Sequence, residues 1–385
     1  VCGTRRNTGP RTPKEQAMSA DANGTSLIVD SDAHVVECDR TWDYLEGSEK
    51  QFRPVPLASP EENGASLQFW LVDGKVRGFR FPAFSEEELQ RRQDLVGRKF
   101  AEAKEARELG NVGLRLEHMD DTGVDVQVLH NTMFIEQVTE RAPVEVALCG
   151  SWNRWLADIW SQSEGRLRWS CLAPTLSMSD ALDQIRFSKE HGACAVLMRP
   201  FENNRMLVDP YFYPIFEEAC RLDMSIAVHI ANGSAWLNDL YSHPVRLGAT
   251  FHRFRIPTVG GFADVLFSEV PELFPKLRWG FIEASSQWVP WILHEVRNRY
   301  RTMGREWPDN PMEAFNMFVT CENSDDLPYI VQEAGEDGLV IGTDYGHTDT
   351  SSDVDAIRVF RERTDLSEDV KQKILSDNAR RLYAL

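Results

Sequence analysis

Ser26-Leu-Ile-Val-Asp-Ser-Asp-Ala-His-Val-Val-Glu37 is the stretch on which the reading of this chain turns. Its apolar run Leu27-Ile28-Val29 reads as a buried parallel strand, and at the strand's C-terminal end Asp32 and His34 stand two residues apart. Period-two geometry aims both side chains at one side. A carboxylate and an imidazole converging on a strand end make half of a metal site, and Glu37, three residues on, is placed to reach over the same rim. On its own the pattern is short: Asp32 could equally open a turn with His34 packed beside it. The rest of the chain decides.

Downstream, short apolar runs at 124–129, 167–173, 194–198, 224–230, 277–282, 317–321 and 338–342 alternate with amphipathic stretches that read as helices. With the first strand this makes eight strands, each followed by helix. Such a rhythm implies a parallel sheet, and eight units imply closure into a (β/α)8 TIM barrel. An open doubly wound sheet is the competitor, but no G-x-G-x-x-G follows the first strand. Between the first two units, residues 67–81 alternate apolar and polar on both sides of Asp73-Gly74, a hairpin signal, and 85–121 read as helix. The expectation is therefore a barrel domain over 25–385 with a β-hairpin insertion at about 60–120 after strand 1. Residues 1–24 are polar, lack the apolar core of a signal peptide, and read as a flexible N-terminal arm.

The formal charge of −18 repels phosphate backbones and anionic membrane surfaces, and no basic cluster offsets it. Neither nucleic acid nor membrane is expected as a partner. Seven scattered cysteines without a C-x-x-C pair fit reduced thiols and a cytoplasmic location.

Active sites of such barrels lie at the C-terminal strand ends. Those ends carry Asp32, His34, His130, Arg199, His229, Glu283, Glu322, Asp344 and His347, with His252 in the long loop after strand 5. Polar groups so concentrated would be costly to leave unpaired, and a divalent cation is the simplest compensation. Blander roles remain open: a turn cap for Asp344, packing for His130, a helix cap for Glu322, pairing of Glu283 with Arg199.

Asp-x-His at strand 1, His229 at strand 5, Phe274-Pro-Lys-Leu-Arg278 leading into Phe281-Ile-Glu283, Trp288-Val-Pro-Trp291 and Gly342-Thr-Asp-Tyr-Gly-His347 together resemble the amidohydrolase-2 branch of the metal-dependent hydrolases. Relatives there include aminocarboxymuconate-semialdehyde decarboxylase. The resemblance implies that Asp32, His34, His229 and Asp344 hold a metal. This sequence departs from it at Glu283-Ala-Ser-Ser286, where many decarboxylases of the branch carry His-Gly at the end of strand 6, and at strand 4, which offers Met198 and Arg199 but no lysine.

Asp32, Glu37, Glu283 and Asp344 with His34, His229 and His252 offer more ligands than one ion needs, so one or two ions of Fe, Mn or Zn are expected. The expected activity is hydrolysis of an amide, ester or thioester in a small, carboxylate-bearing substrate. Asp344 acts as base, His347 assists the leaving group, Arg199 clamps the carboxylate, and Trp236 lines the substrate site. The alternatives are non-oxidative decarboxylation of an aromatic or enol acid, and oxygen chemistry at a dinuclear iron site. The resemblance also suggests a homodimer.

Overall fold

In a computed structural model, residues 27–101, 103–241, 251–348 and 351–385 are described. The expected N-terminal arm lies outside these residues, as does part of the excursion after strand 5. Eight parallel strands form one sheet in sequential order: β1 (Val29–His34), β2 (Val126–His130), β3 (Leu167–Leu172), β4 (Ala193–Met198), β5 (Ser225–His229), β6 (Trp279–Ile282), β7 (Met317–Cys321) and β8 (Leu339–Ile341). The sequence rhythm therefore holds: every strand residue except Arg168 is buried and each strand is separated from the next by helix, the pattern of a sheet covered by helices.

Closure runs between β1 and the segment after β8. His34 N donates to the Tyr345 carbonyl at 2.8 Å, and the amides of Thr343 and Asp344 both donate to the Asp32 carbonyl. Gly342 makes that approach possible, because a Cβ there would lie 2.2 Å from Asp32 Cβ. The seam that closes the barrel is thus the place where Asp32, His34 and Asp344 meet.

The insertion is larger than a hairpin. Strands Ala65–Val72 and Lys75–Phe84 flank Asp73-Gly74, both at positive φ as a two-residue turn of the mirror-image kind requires. A third strand, Val55–Ala58, pairs with the first and extends the sheet beyond the expected hairpin. Trp70 and Val72 on its inner face are buried, Trp70 meeting Trp42 edge to face. The helical stretch after it breaks where capping groups sit: Glu86–Val96 starts at the Ser85 cap and ends at Gly97, and Val112–Thr122 starts at Asn111 and ends at Gly123.

Candidate metal centre

β1 delivers Asp32 and His34, β5 His229, the turn after β6 Glu283, and the turn after β8 Asp344 and His347; all are buried. Glu283 (φ 65°), Ser285 (φ 60°) and Asp344 (φ 48°) occupy the left-handed region, which costs a non-glycine residue about 1 kcal/mol or more. Surrounding bonds hold them there. Thr320 Oγ1 accepts from the Glu283 amide at 2.6 Å, and the Asp325 carboxylate accepts from the Ser285 and Ser286 hydroxyls and from the Ser286 amide.

His34 Nδ1 faces the Asn131 carbonyl at 2.9 Å, which places its proton there, and His229 Nδ1 faces the Ile230 carbonyl at 3.4 Å. Each ring then turns a bare Nε2 towards carboxylates. His34 Nε2 lies 3.6 Å from Asp32 Oδ1, 3.4 Å from Glu283 Oε2 and 3.5 Å from Asp344 Oδ1; His229 Nε2 lies 3.5 Å from Asp32 Oδ1 and 3.2 Å from Glu283 Oε2. Asp32 Oδ1, His34 Nε2 and His229 Nε2 are buried and make no hydrogen bond.

Lone pairs and carboxylates facing one another in a dry site repel unless a cation stands between them. Bonds of about 2.1 Å at tetrahedral angles set neighbouring donors about 3.4 Å apart, which is the spacing found. The group Asp32, His34, His229 and Glu283 has this character; a second close group, His34, Glu283, Asp344 and His347, overlaps it. The donor set fits a divalent cation.

Asp344 Oδ1 is also 2.8 Å from His347 Nδ1, and its Oδ2 accepts from Ser352 at 2.5 Å. Thr132 Oγ1 lies 2.8 Å from the Val35 carbonyl and 2.9 Å from His347 Nε2. With its single proton on Val35, the hydroxyl receives Nε2–H, and both ring nitrogens of His347 are in donor positions. The ring stacks on His34 at 3.9 Å.

Other expected site residues are placed elsewhere. Glu37 does not reach the cluster: its carboxylate accepts from the amides of Thr132 and Met133 and from Trp152 Nε1, and burial pushes it up to about 7. It braces the loop after β2. His252 is exposed and stacks on Tyr241 at 5.4 Å, outside both donor groups. Arg199 is engaged as well: its guanidinium pairs with Glu202 and donates to the carbonyls of Phe134 and Glu136, so the clamp expected of it is spent inside the protein. Trp236 stands 68% exposed on the helix Ala235–Leu240. His130 bonds Ser170 Oγ and the Ser31 carbonyl; burial drives it down to about 3, so it stays neutral. Glu322 pairs with Arg255 at 2.8 Å.

A layer beneath the ligands escaped the sequence reading. Asp30 accepts from the Asp32 amide, from Thr343 N and Oγ1, and from Gln127 Nε2. Gln127 Oε1 in turn accepts from Arg115, which is fully buried, lies 3.5 Å over the Tyr345 ring and donates to the His34 carbonyl. For Asp30 a signal existed, since it shares the parity of Asp32 and His34. For Arg115, on the polar-looking stretch before β2, none did.

A family model described as Amidohydrolase matches residues 29–385. Among solved structures, an amidohydrolase from Mycobacterium avium subsp. paratuberculosis is similar at 18% identity, with TM-score 0.74, covering 94% of this chain and 98% of that one. A 5-carboxyvanillate decarboxylase from Novosphingobium aromaticivorans, complexed with manganese and 4-hydroxy-3-methoxy-5-nitrobenzoic acid, aligns at 17% identity and TM-score 0.64 over 95% and 98% of the two chains. A 4-oxalomesaconate hydratase from Rhodopseudomonas palustris aligns at 16% identity and TM-score 0.60 over 93% and 96%.

Proposed function

This chain belongs to the amidohydrolase family, in its amidohydrolase-2 branch, and from that premise we propose that it is a metal-dependent hydrolase of an amide, ester or thioester bond in a small organic substrate. The observation that carries the reading is the set of donors at 3.2 to 3.6 Å around His34 and His229, with the Asp344–His347 pair on its edge. Oxygen and imidazole donors without thiolate suit Fe, Mn or Zn, and the three carboxylates favour Fe or Mn. Bound there, a divalent ion lowers the pKa of water towards neutrality and polarises a carbonyl.

The chain's own residues do the rest. Asp344 accepts the proton of the attacking water. His347, donating to Asp344 and steadied by Thr132, gives a proton to the departing amine, alkoxide or thiolate. Glu283, where a protonating histidine would be expected for decarboxylation, adds another anion to the donor set. The alternative is non-oxidative decarboxylation of an aromatic or enol acid, favoured by the likeness to a manganese-containing decarboxylase. A panel of p-nitrophenyl esters, acyl thioesters and anilides assayed with Mn- and Fe-loaded protein, beside carboxylated phenols monitored for carbon dioxide, separates the two. Asp344→Asn is expected to lower hydrolysis by roughly 10²- to 10⁴-fold. Carbon dioxide release with no hydrolysis of any panel member overturns the proposal.

A further inference from the structure

We propose that Ser351 and Ser352, adjacent residues on the segment after β8, fix which oxygen of Glu283 and which oxygen of Asp344 is turned to the cation. The assignment rests on the metal centre on which the proposed function also stands, and adds to it two positioning residues. A carboxylate has two equivalent oxygens and turns about its terminal bond in a broad, roughly two-fold well, so an Asp or Glu side chain by itself does not settle which oxygen an ion meets. Here a hydroxyl settles it on each. Ser351 Oγ donates to Glu283 Oε1 at 3.0 Å, and the other oxygen, Oε2, faces His34 Nε2 at 3.4 Å and His229 Nε2 at 3.2 Å. Ser352 Oγ donates to Asp344 Oδ2 at 2.5 Å, and Oδ1 faces His34 Nε2 at 3.5 Å and His347 Nδ1 at 2.8 Å. One dipeptide thus makes the same division on two carboxylates that come from different strand ends.

The dipeptide is itself held. Ser352 is buried, the Asp353 amide after it donates to the carbonyl of Thr343, beside Asp344, at 2.9 Å, and the Val354 amide donates to the carbonyl of Lys99 in the insertion at 3.0 Å. Lys99 Nζ also pairs with Asp355 at 2.9 Å. The insertion reaches the metal centre through these two hydroxyls. A carboxylate released from its serine could turn the wrong oxygen inward or offer both, changing the number and placing of donors; with Ser352 in place, Asp344 Oδ1 stays beside His347, where the proposed proton transfers occur.

Calorimetric titration of the metal-free full chain with manganese, together with visible spectra of the cobalt-loaded protein, tests this. Ser351→Ala and Ser352→Ala should each weaken manganese binding roughly 10- to 100-fold with circular dichroism unchanged. Both should shift the cobalt bands, which follow the number and arrangement of donor atoms. Ser351→Thr keeps the hydroxyl at a half-buried position and should bind as the wild type does. Ser367→Ala removes the cap of the helix Glu368–Gln372 and should lower stability while leaving binding and spectrum alone. A wild type that binds no manganese overturns the metal centre and this assignment together. Wild-type binding kept in both alanine variants, a cobalt spectrum that moves in neither, a threonine variant as weak as the alanine one, or an equal loss in Ser367→Ala overturns the assignment alone.

Discussion

Two buried ionic clusters stand at strand ends of this barrel, one at Arg199 after β4 and one at His34 on β1, and they differ in sign. At Arg199 a guanidinium meets the Glu202 carboxylate and two backbone carbonyls, so donors and acceptors are matched within the protein. At His34 three buried inward-facing atoms, Asp32 Oδ1 and the Nε2 atoms of His34 and His229, make no hydrogen bond, and all three are acceptors set close together. The first arrangement is a brace and the second is a receptor for a cation. Burial alone does not tell a functional cluster from a structural one; the balance of donors and acceptors does.

The largest expected effect comes from breaking the receptor. His229→Ala removes a donor 3.2 Å from Glu283 and 3.5 Å from Asp32. Metal content measured by elemental analysis should fall to near zero and turnover by roughly 10³-fold or more, since the ion's contribution spans several kcal/mol. The apo fold should persist, because removing an imidazole relieves crowding among acceptors. A variant with wild-type metal content would show that the cluster is not the receptor.

Breaking the brace should do the reverse. Arg199→Met strands the Glu202 carboxylate in a buried position and is expected to cost about 3 to 5 kcal/mol of stability, seen as a lower denaturant midpoint. Metal affinity of the protein that remains folded should be unchanged. If affinity for a carboxylate-bearing substrate fell instead, with stability intact, Arg199 would regain the clamp role expected from sequence.

The brace also has a pH signature. Glu145, buried beside Arg199 and Glu202, accepts from the Leu176 amide, and desolvation raises it from its ordinary 4.5 to about 7. Because the folded state holds this proton more tightly than the unfolded chain, its contribution is complete below about pH 4.5 and is lost as pH rises through 7. Glu145→Gln should remove that decline, flattening stability between pH 5 and 7 by on the order of 2 kcal/mol relative to wild type. Urea titrations at half-unit pH steps would read it, and an unchanged slope would refute the assignment.

The comparison also explains what was legible in the sequence. Period-two placement on β1 and the eightfold strand rhythm were enough to bring Asp32, His34, His229, Glu283 and Asp344 to one mouth, because parallel strands of a closed barrel end at one rim. Arg199 and Glu37 were misjudged for a common reason: a residue's position at the rim says nothing about whether a local partner has already taken it. Glu202 lies three residues after Arg199, and the amides that satisfy Glu37 belong to a loop nearly a hundred residues away. His252 belongs to a long loop that carries no periodicity, so the strand pattern offered no guide to where its ring would lie. The third strand of the insertion was missed because Val55-Pro56-Leu57 reads as a breaker-containing loop until its partner strand is known.

The same reasoning reaches below the ligands, where the smallest effect is expected. Arg115 is a fully buried cation whose nearest carboxylate, Asp30, is met only through Gln127, and the chain of bonds ends on the amides of Asp32 and Thr343 and the carbonyl of His34. It ties β1, β2 and the segment after β8 into one spacing, the spacing on which the donor distances depend. Gln127→Leu keeps the volume roughly but cuts the link on both sides. Metal affinity should weaken by about 10-fold, the lower end of what partners of ligating groups contribute, with metal stoichiometry preserved. Calorimetric titration with manganese would measure it against a core control such as Val128→Ala, which should cost stability without moving affinity. Equal losses of affinity in both variants would mean that the layer acts through general packing and not through the hydrogen bonds that join Arg115 to Asp30.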